Sequence, residues 1–116
     1  MLSEHFHRSE FECKCGCGFD TIDAETLEVL EELREHFETP IVINSASRCI
    51  EHNKAVGGSP ESQHLVSRAV DIRVINVLPS VVADYLDSLY PDKYGIGRYT
   101  TFTHLDTKSG HKRRWE

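Results

Sequence analysis

Ser62-Gln63-His64-Leu65-Val66-Ser67-Arg68-Ala69-Val70-Asp71 is the stretch on which the rest of the chain turns. From Ala69 to Val74 the residues alternate, with Val70, Ile72 and Val74 on one side and Ala69, Asp71 and Arg73 on the other. That period of two is a strand with one apolar face and one face carrying Asp71. The loop before it delivers His64, so an imidazole and a carboxylate can converge although seven positions separate them. Downstream, Thr101 to Thr107 also reads as a strand, placing Phe102, His104 and Asp106 on one face.

Working outward, Thr21 or Asp23 can cap a helix running to about Glu38, with Leu27, Leu30, Leu33 and Phe37 as its apolar stripe. Glu25, Glu28, Glu31, Glu32 and Glu35 lie mainly off that stripe and read as a solvated face. Ile41-Val42-Ile43 is a buried strand, and a short helix from about Cys49 to Val56 is stopped by Gly57-Gly58. Pro79 opens a helix to about Leu89. Tyr94 to Tyr99 reads as a strand or bulged strand, and Trp115 as a closing residue. Phe6, Phe11 and Phe19 are expected to pack an irregular N-terminal arm onto the domain. The order predicts an α+β fold, a small mainly antiparallel sheet with helices packed to one side. Residues 1–116 form one domain, without internal repeats.

Apolar residues make up 39% and charged residues 28%, values of a globular protein. A net charge of −6 argues against nucleic acid and against an anionic membrane as partners. The one basic cluster, Lys112-Arg113-Arg114, reads as a solvated tail. The N-terminal residues lack the pattern of a signal peptide, so cytoplasmic synthesis is expected. Cys13, Cys15, Cys17 and Cys49 leave open a structural metal site, a disulfide to Cys49, or buried thiols, because C-x-C-x-C is not the usual C-x-x-C zinc spacing. The metal expectation is therefore one catalytic ion, with a second, cysteine-bound metal the less favoured reading.

Catalytic zinc typically takes three protein ligands and keeps one position for water. His64, Asp71 and His104 supply such a set of two nitrogens and one oxygen. Of the seven histidines, His5, His7, His36 and His111 read as incidental, and His52 as a helix-surface residue near enough to Arg48 to line a site.

The run Ser-x-His-x-x-x-x-Ala-x-Asp, Ser62 to Asp71, resembles the signature of the zinc D-Ala-D-Ala carboxypeptidases, a family that includes D,D-dipeptidases and phage endolysins cutting L-Ala-D-Glu bonds. Phe11 to Gly18, Ser47-Arg48-Cys49, His52-Asn53, Val56-Gly57-Gly58, Gly95-Ile96-Gly97 and Phe102 to Asp106 extend the likeness along almost the whole chain, in order. The resemblance implies a hedgehog-like zinc peptidase fold, with His64, Asp71 and His104 as ligands of one zinc. It implies that Arg48 stabilises charge on the scissile carbonyl and that Ser62 contacts substrate. Many members carry an acidic base three residues before the last histidine ligand; here that position is Thr101. Asp106 is then the base, a partner orienting His104, or a ligand, and the expectation taken is a catalytic helper that accepts a proton from the attacking water. The implied partner is a peptidoglycan stem peptide, met by a monomer, with release to the wall by a phage holin as an analogy. A non-catalytic zinc-binding module, such as a wall or phage component, is the alternative.

Overall fold

The computed structural model describes residues 2–116. After a 3₁₀ turn at Arg8–Phe11 come α1 (Ala24–Phe37), β1 (Ile41–Ser45) and α2 (Ile50–Ala55). A second 3₁₀ turn, Gln63–Val66, leads into β2 (Ala69–Val74), followed by α3 (Pro79–Leu89), β3 (Gly95–Arg98), β4 (Thr103–Asp106) and β5 (Arg113–Trp115). The strands form one sheet in the order β1-β2-β4-β3-β5, antiparallel except for the β3–β5 pair. The α+β class and the mainly antiparallel sheet are those expected from the sequence.

The two long helices begin where local chemistry lets them. Asp23 caps α1 by accepting from the Glu25 amide at 3.1 Å, and Glu38 ends it in the left-handed region at φ 52°. Pro79 stands in the first turn of α3, where its missing N–H costs nothing. Both helices pack on the sheet face made by Val70, Ile72, Ile96 and Leu105, with Leu30, Leu33, Val82 and Leu86 fully buried between. The stripe of α1 is shifted from the expected one: Val29, Leu30 and Leu33 are buried, while Leu27 and Phe37 sit at its margin. The smaller α2 adds no side chain to this core, and its Ile50 is exposed. Phe6 and Phe11 are buried as expected and Phe19 only partly.

Two readings are corrected by these contacts. Glu25 and Glu31 belong to no passive solvated face: Glu25 bonds Arg68 at 3.0 Å and the Tyr94 hydroxyl at 2.5 Å, and Glu31 holds Ser3 and His5. Lys112-Arg113-Arg114 is no solvated tail either, because Arg113 and Arg114 open β5 beside β3. Arg114 reaches Asp87 at 2.6 Å and the Tyr90 and Tyr94 carbonyls at 2.7 and 2.8 Å.

A candidate metal centre on the open sheet face

Strand register assembles the site in two rows. Asp71 pairs with His104, His104 with Gly97, and Gly97 with Trp115. One step along, Ala69 pairs with Asp106, Asp106 with Gly95, and Gly95 with Arg113. Cross-strand partners share a face, so Asp71, His104, Asp106, Arg113 and Trp115 all stand on the side opposite the core. Both glycines are needed there. A Cβ on Gly97 would lie 2.6 Å from the Trp115 indole nitrogen, and one on Gly95 would lie 2.4 Å from an Asp106 oxygen.

His64 comes to this face from the 3₁₀ turn, whose first residues Ser62 caps by accepting from the His64 amide at 3.2 Å. Its ring is 2% exposed, with Nδ1 2.7 Å from the Ala46 carbonyl. A carbonyl can only accept, so Nδ1 carries the proton and Nε2 presents its lone pair, 3.2 Å from Asp71 Oδ2. His104 Nδ1 lies 2.8 Å from Asp71 Oδ1, and its Nε2 lies 2.9 Å from Asp106 Oδ2. Asp106 is 1% exposed and engaged at both oxygens: Arg113 and the Lys108 amide donate to Oδ1.

The charges follow from this packing. Burial raises the Asp71 carboxyl, but the His104 and His64 rings beside it outweigh that and hold the group well below the usual carboxylate range. Burial likewise opposes ionisation of Asp106, and His104 and Arg113 overcome it. Burial lowers His104, yet the carboxylates of Asp106 and Asp71 on its two nitrogens raise it overall.

One nitrogen of His64, one of His104 and a carboxylate oxygen of Asp71 lie within 4.8 Å of one another. The fit to a metal ion rests on the donors themselves. With Nε2 of His104 donating to Asp106, its Nδ1 faces Asp71 Oδ1, a contact that is favourable only with a cation between them, whether a proton or a metal. The Asp106–His104 arrangement is also the carboxylate–histidine pairing that fixes the tautomer of a metal-ligating ring. Two imidazoles and one carboxylate are the three-ligand set of catalytic zinc.

Around the donors lies an open cleft of about 480 Å³, lined by Arg48, Ser62, Tyr99, Lys108 and Trp115 among others. Arg48 donates from Nη1 to Asn53 at 3.0 Å and from Nη2 to Asp71 Oδ2 at 3.4 Å. Every residue expected at the site, Arg48, Ser62, His64, Asp71, His104 and Asp106, borders this cleft. His52 and Thr101 do not. Sequence reading missed Arg113, Trp115, Lys108 and Glu61. The first two had a signal, because an Arg-x-Trp run shortly after His104-Leu105-Asp106 could form a strand edge, but its pairing partner is not local.

Two imidazoles and a carboxylate that converge in an open cleft, on the bare face of an α+β sheet, form a donor set suited to a metal ion. The family model described as Peptidase M15 matches residues 4–106, and the chain belongs to that family of zinc metallopeptidases. No curated protein matches the chain.

Proposed function

We propose that the protein hydrolyses a D-amino-acid-containing peptide bond of peptidoglycan, as a D-Ala-D-Ala carboxypeptidase or an L-Ala-D-Glu endopeptidase, with one zinc held by His64, Asp71 and His104. The observation that carries the reading is the His64–Asp71–His104 cluster at the floor of an open cleft with Arg48 against it. Membership of the peptidase M15 family supports a peptide as substrate. Zinc in this position supplies Lewis-acid activation of water and of a peptide carbonyl.

The chain's own residues do the rest. Arg48, fixed by Asn53, offers a guanidinium to the negative charge that develops on the scissile carbonyl. Asp106 acts through His104: it holds the ring with Nδ1 forward, and Arg113 keeps it ionised. We assign Asp106 this supporting role in place of the proton-accepting one, and the support is that His104, Arg113 and the Lys108 amide engage both of its oxygens. Glu61 adds an exposed carboxylate to the cleft wall. Lys108 and Arg48 suit a peptide that bears a free carboxylate, and the stacked Tyr99 and Phe102 rings, 4.4 Å apart, give the cleft an apolar wall.

The test is mass spectrometry of purified peptidoglycan incubated with the zinc-loaded protein. Loss of one alanine identifies a carboxypeptidase, and separation after the first stem alanine identifies a lytic endopeptidase. An unchanged digest from protein shown to hold zinc in this cluster defeats the proposal and favours a zinc-binding module without catalysis.

A further inference from the structure

Away from the cleft, Cys13, Cys15, Cys17 and Cys49 bring their four sulfurs within 4.8 Å of one another. We propose that these cysteines form a second, structural zinc site of four thiolates, which clamps the N-terminal arm to the loop carrying Arg48.

The separations are those of a metal tetrahedron rather than of a disulfide. Cys13 to Cys15 is 3.5 Å, Cys15 to Cys49 3.6 Å and Cys13 to Cys49 3.9 Å. Four sulfurs at about 2.3 Å from one zinc are roughly 3.8 Å apart along each edge. A disulfide would draw one pair to about 2.05 Å and push the others away, whereas here three pairs are nearly equal and all four thiols are free. The alternating C-x-C-x-C run converges because its spacers bend backwards. Gly16 and Gly18 have φ of 82° and 90°, a region that disfavours any side chain, and nothing lies near enough to either to demand a glycine for space. Backbone amides also point at the sulfurs. The Cys49 amide donates to Cys13 Sγ at 3.5 Å, and the His52 amide, in the first turn of α2, donates to Cys49 Sγ at 3.4 Å. Such N–H groups stabilise thiolate charge.

The place of the cluster gives it a purpose. Cys49 directly follows Arg48 and caps α2, whose Asn53 holds the Arg48 guanidinium. Beside it, the Ser47 amide donates to the Phe11 carbonyl at 3.1 Å, and the Ala46 carbonyl sets the tautomer of His64. The arm, the arginine and one histidine therefore meet at a single knot, which no apolar side chain of α2 helps to hold.

Zinc per chain, measured on the full-length protein purified under reductant, decides the matter. Two zinc ions are expected for the native chain. His64→Ala/His104→Ala should retain one, and its cobalt-exchanged form should show thiolate-to-cobalt charge transfer in the near ultraviolet. Cys15→Ser/Cys17→Ser, altered only at exposed positions, should retain one ion and lose that band. In the native chain the thiols should resist alkylation until a chelator strips the metal. A zinc-free His64→Ala/His104→Ala chain, or one whose cobalt form lacks the thiolate band, overturns the proposal whatever the cleft proves to do.

Discussion

His104 is gripped by carboxylates on both ring nitrogens, and most of the site's chemistry follows from which of them a metal replaces. Asp71 shares its face with His64 and Arg48, whereas Asp106 sits behind the ring, buried and neutralised by Arg113. Asp106→Asn should accordingly weaken zinc binding by roughly 10–100-fold and lower turnover in parallel. A proton acceptor would instead lose turnover with zinc content intact, so chelator competition and kinetics on the same variant separate the two roles. Arg48 gives the opposite pattern. Arg48→Ala should cut turnover by about 10²–10³-fold while zinc stoichiometry holds, and a variant that arrives without metal would mean that Arg48 supports Asp71 rather than the reaction. That His64, Asp71 and His104 meet was legible because they stand in runs that resemble the carboxypeptidase signature. The partners of Asp106 were not, since two residues on one strand face look alike until the strand beyond them is placed.

At the scale of elements, the sheet's open face works because two glycines are absent side chains. Gly97→Ala should drive the Trp115 indole off His104, from which its ring centroid is now 4.9 Å, and destabilise the protein by about 1–3 kcal/mol. Trp115 is the sole tryptophan, so a red-shifted emission reports the displacement directly. On the other face, Leu86→Ala should cost about 2–5 kcal/mol, read by denaturant titration, because the side chain is fully buried between α3 and the sheet. β2 and α3 have the very bounds their patterns predict, Ala69–Val74 and Pro79–Leu89, since alternation and an N-terminal proline are local signals. β5 has only the Arg-x-Trp spacing to mark it. Three residues are too few to show a period, and the parallel pairing with β3 depends on residues far away in sequence.

Over the whole molecule, the N-terminal arm is a strap tied at several points. Phe6 and Phe11 enter the core, and Glu31 of α1 accepts from the Ser3 hydroxyl at 2.5 Å and the His5 amide at 2.8 Å. Burial raises the Glu31 carboxyl, but these bonds and the His5 ring outweigh it and leave it lowered. A carboxyl depressed in the folded state contributes stability above its unfolded pKa of about 4.3, and that contribution is lost as pH falls through the folded value. Glu31→Gln should therefore be less stable than the native chain near neutrality, by on the order of 1 kcal/mol, with the gap closing in acid. A thermal-melt series against pH would show the two curves converging; a constant offset would mean that Glu31 acts through shape and not charge. The α+β class was legible from the order of the elements, but this strap was not, because its contacts pair an irregular segment with a helix face that reads as merely acidic.

The short β5 strand has a kinetic meaning as well. It spans three residues, bonds to one neighbouring strand, and carries both the arginine behind Asp106 and the tryptophan beside His104. Breathing of that edge, a local opening far cheaper than global unfolding, would unlatch both supports of the histidine at once. The rate at which the β5 amides exchange with solvent deuterium thus becomes a clock for how often the centre comes apart while the rest of the fold stays closed.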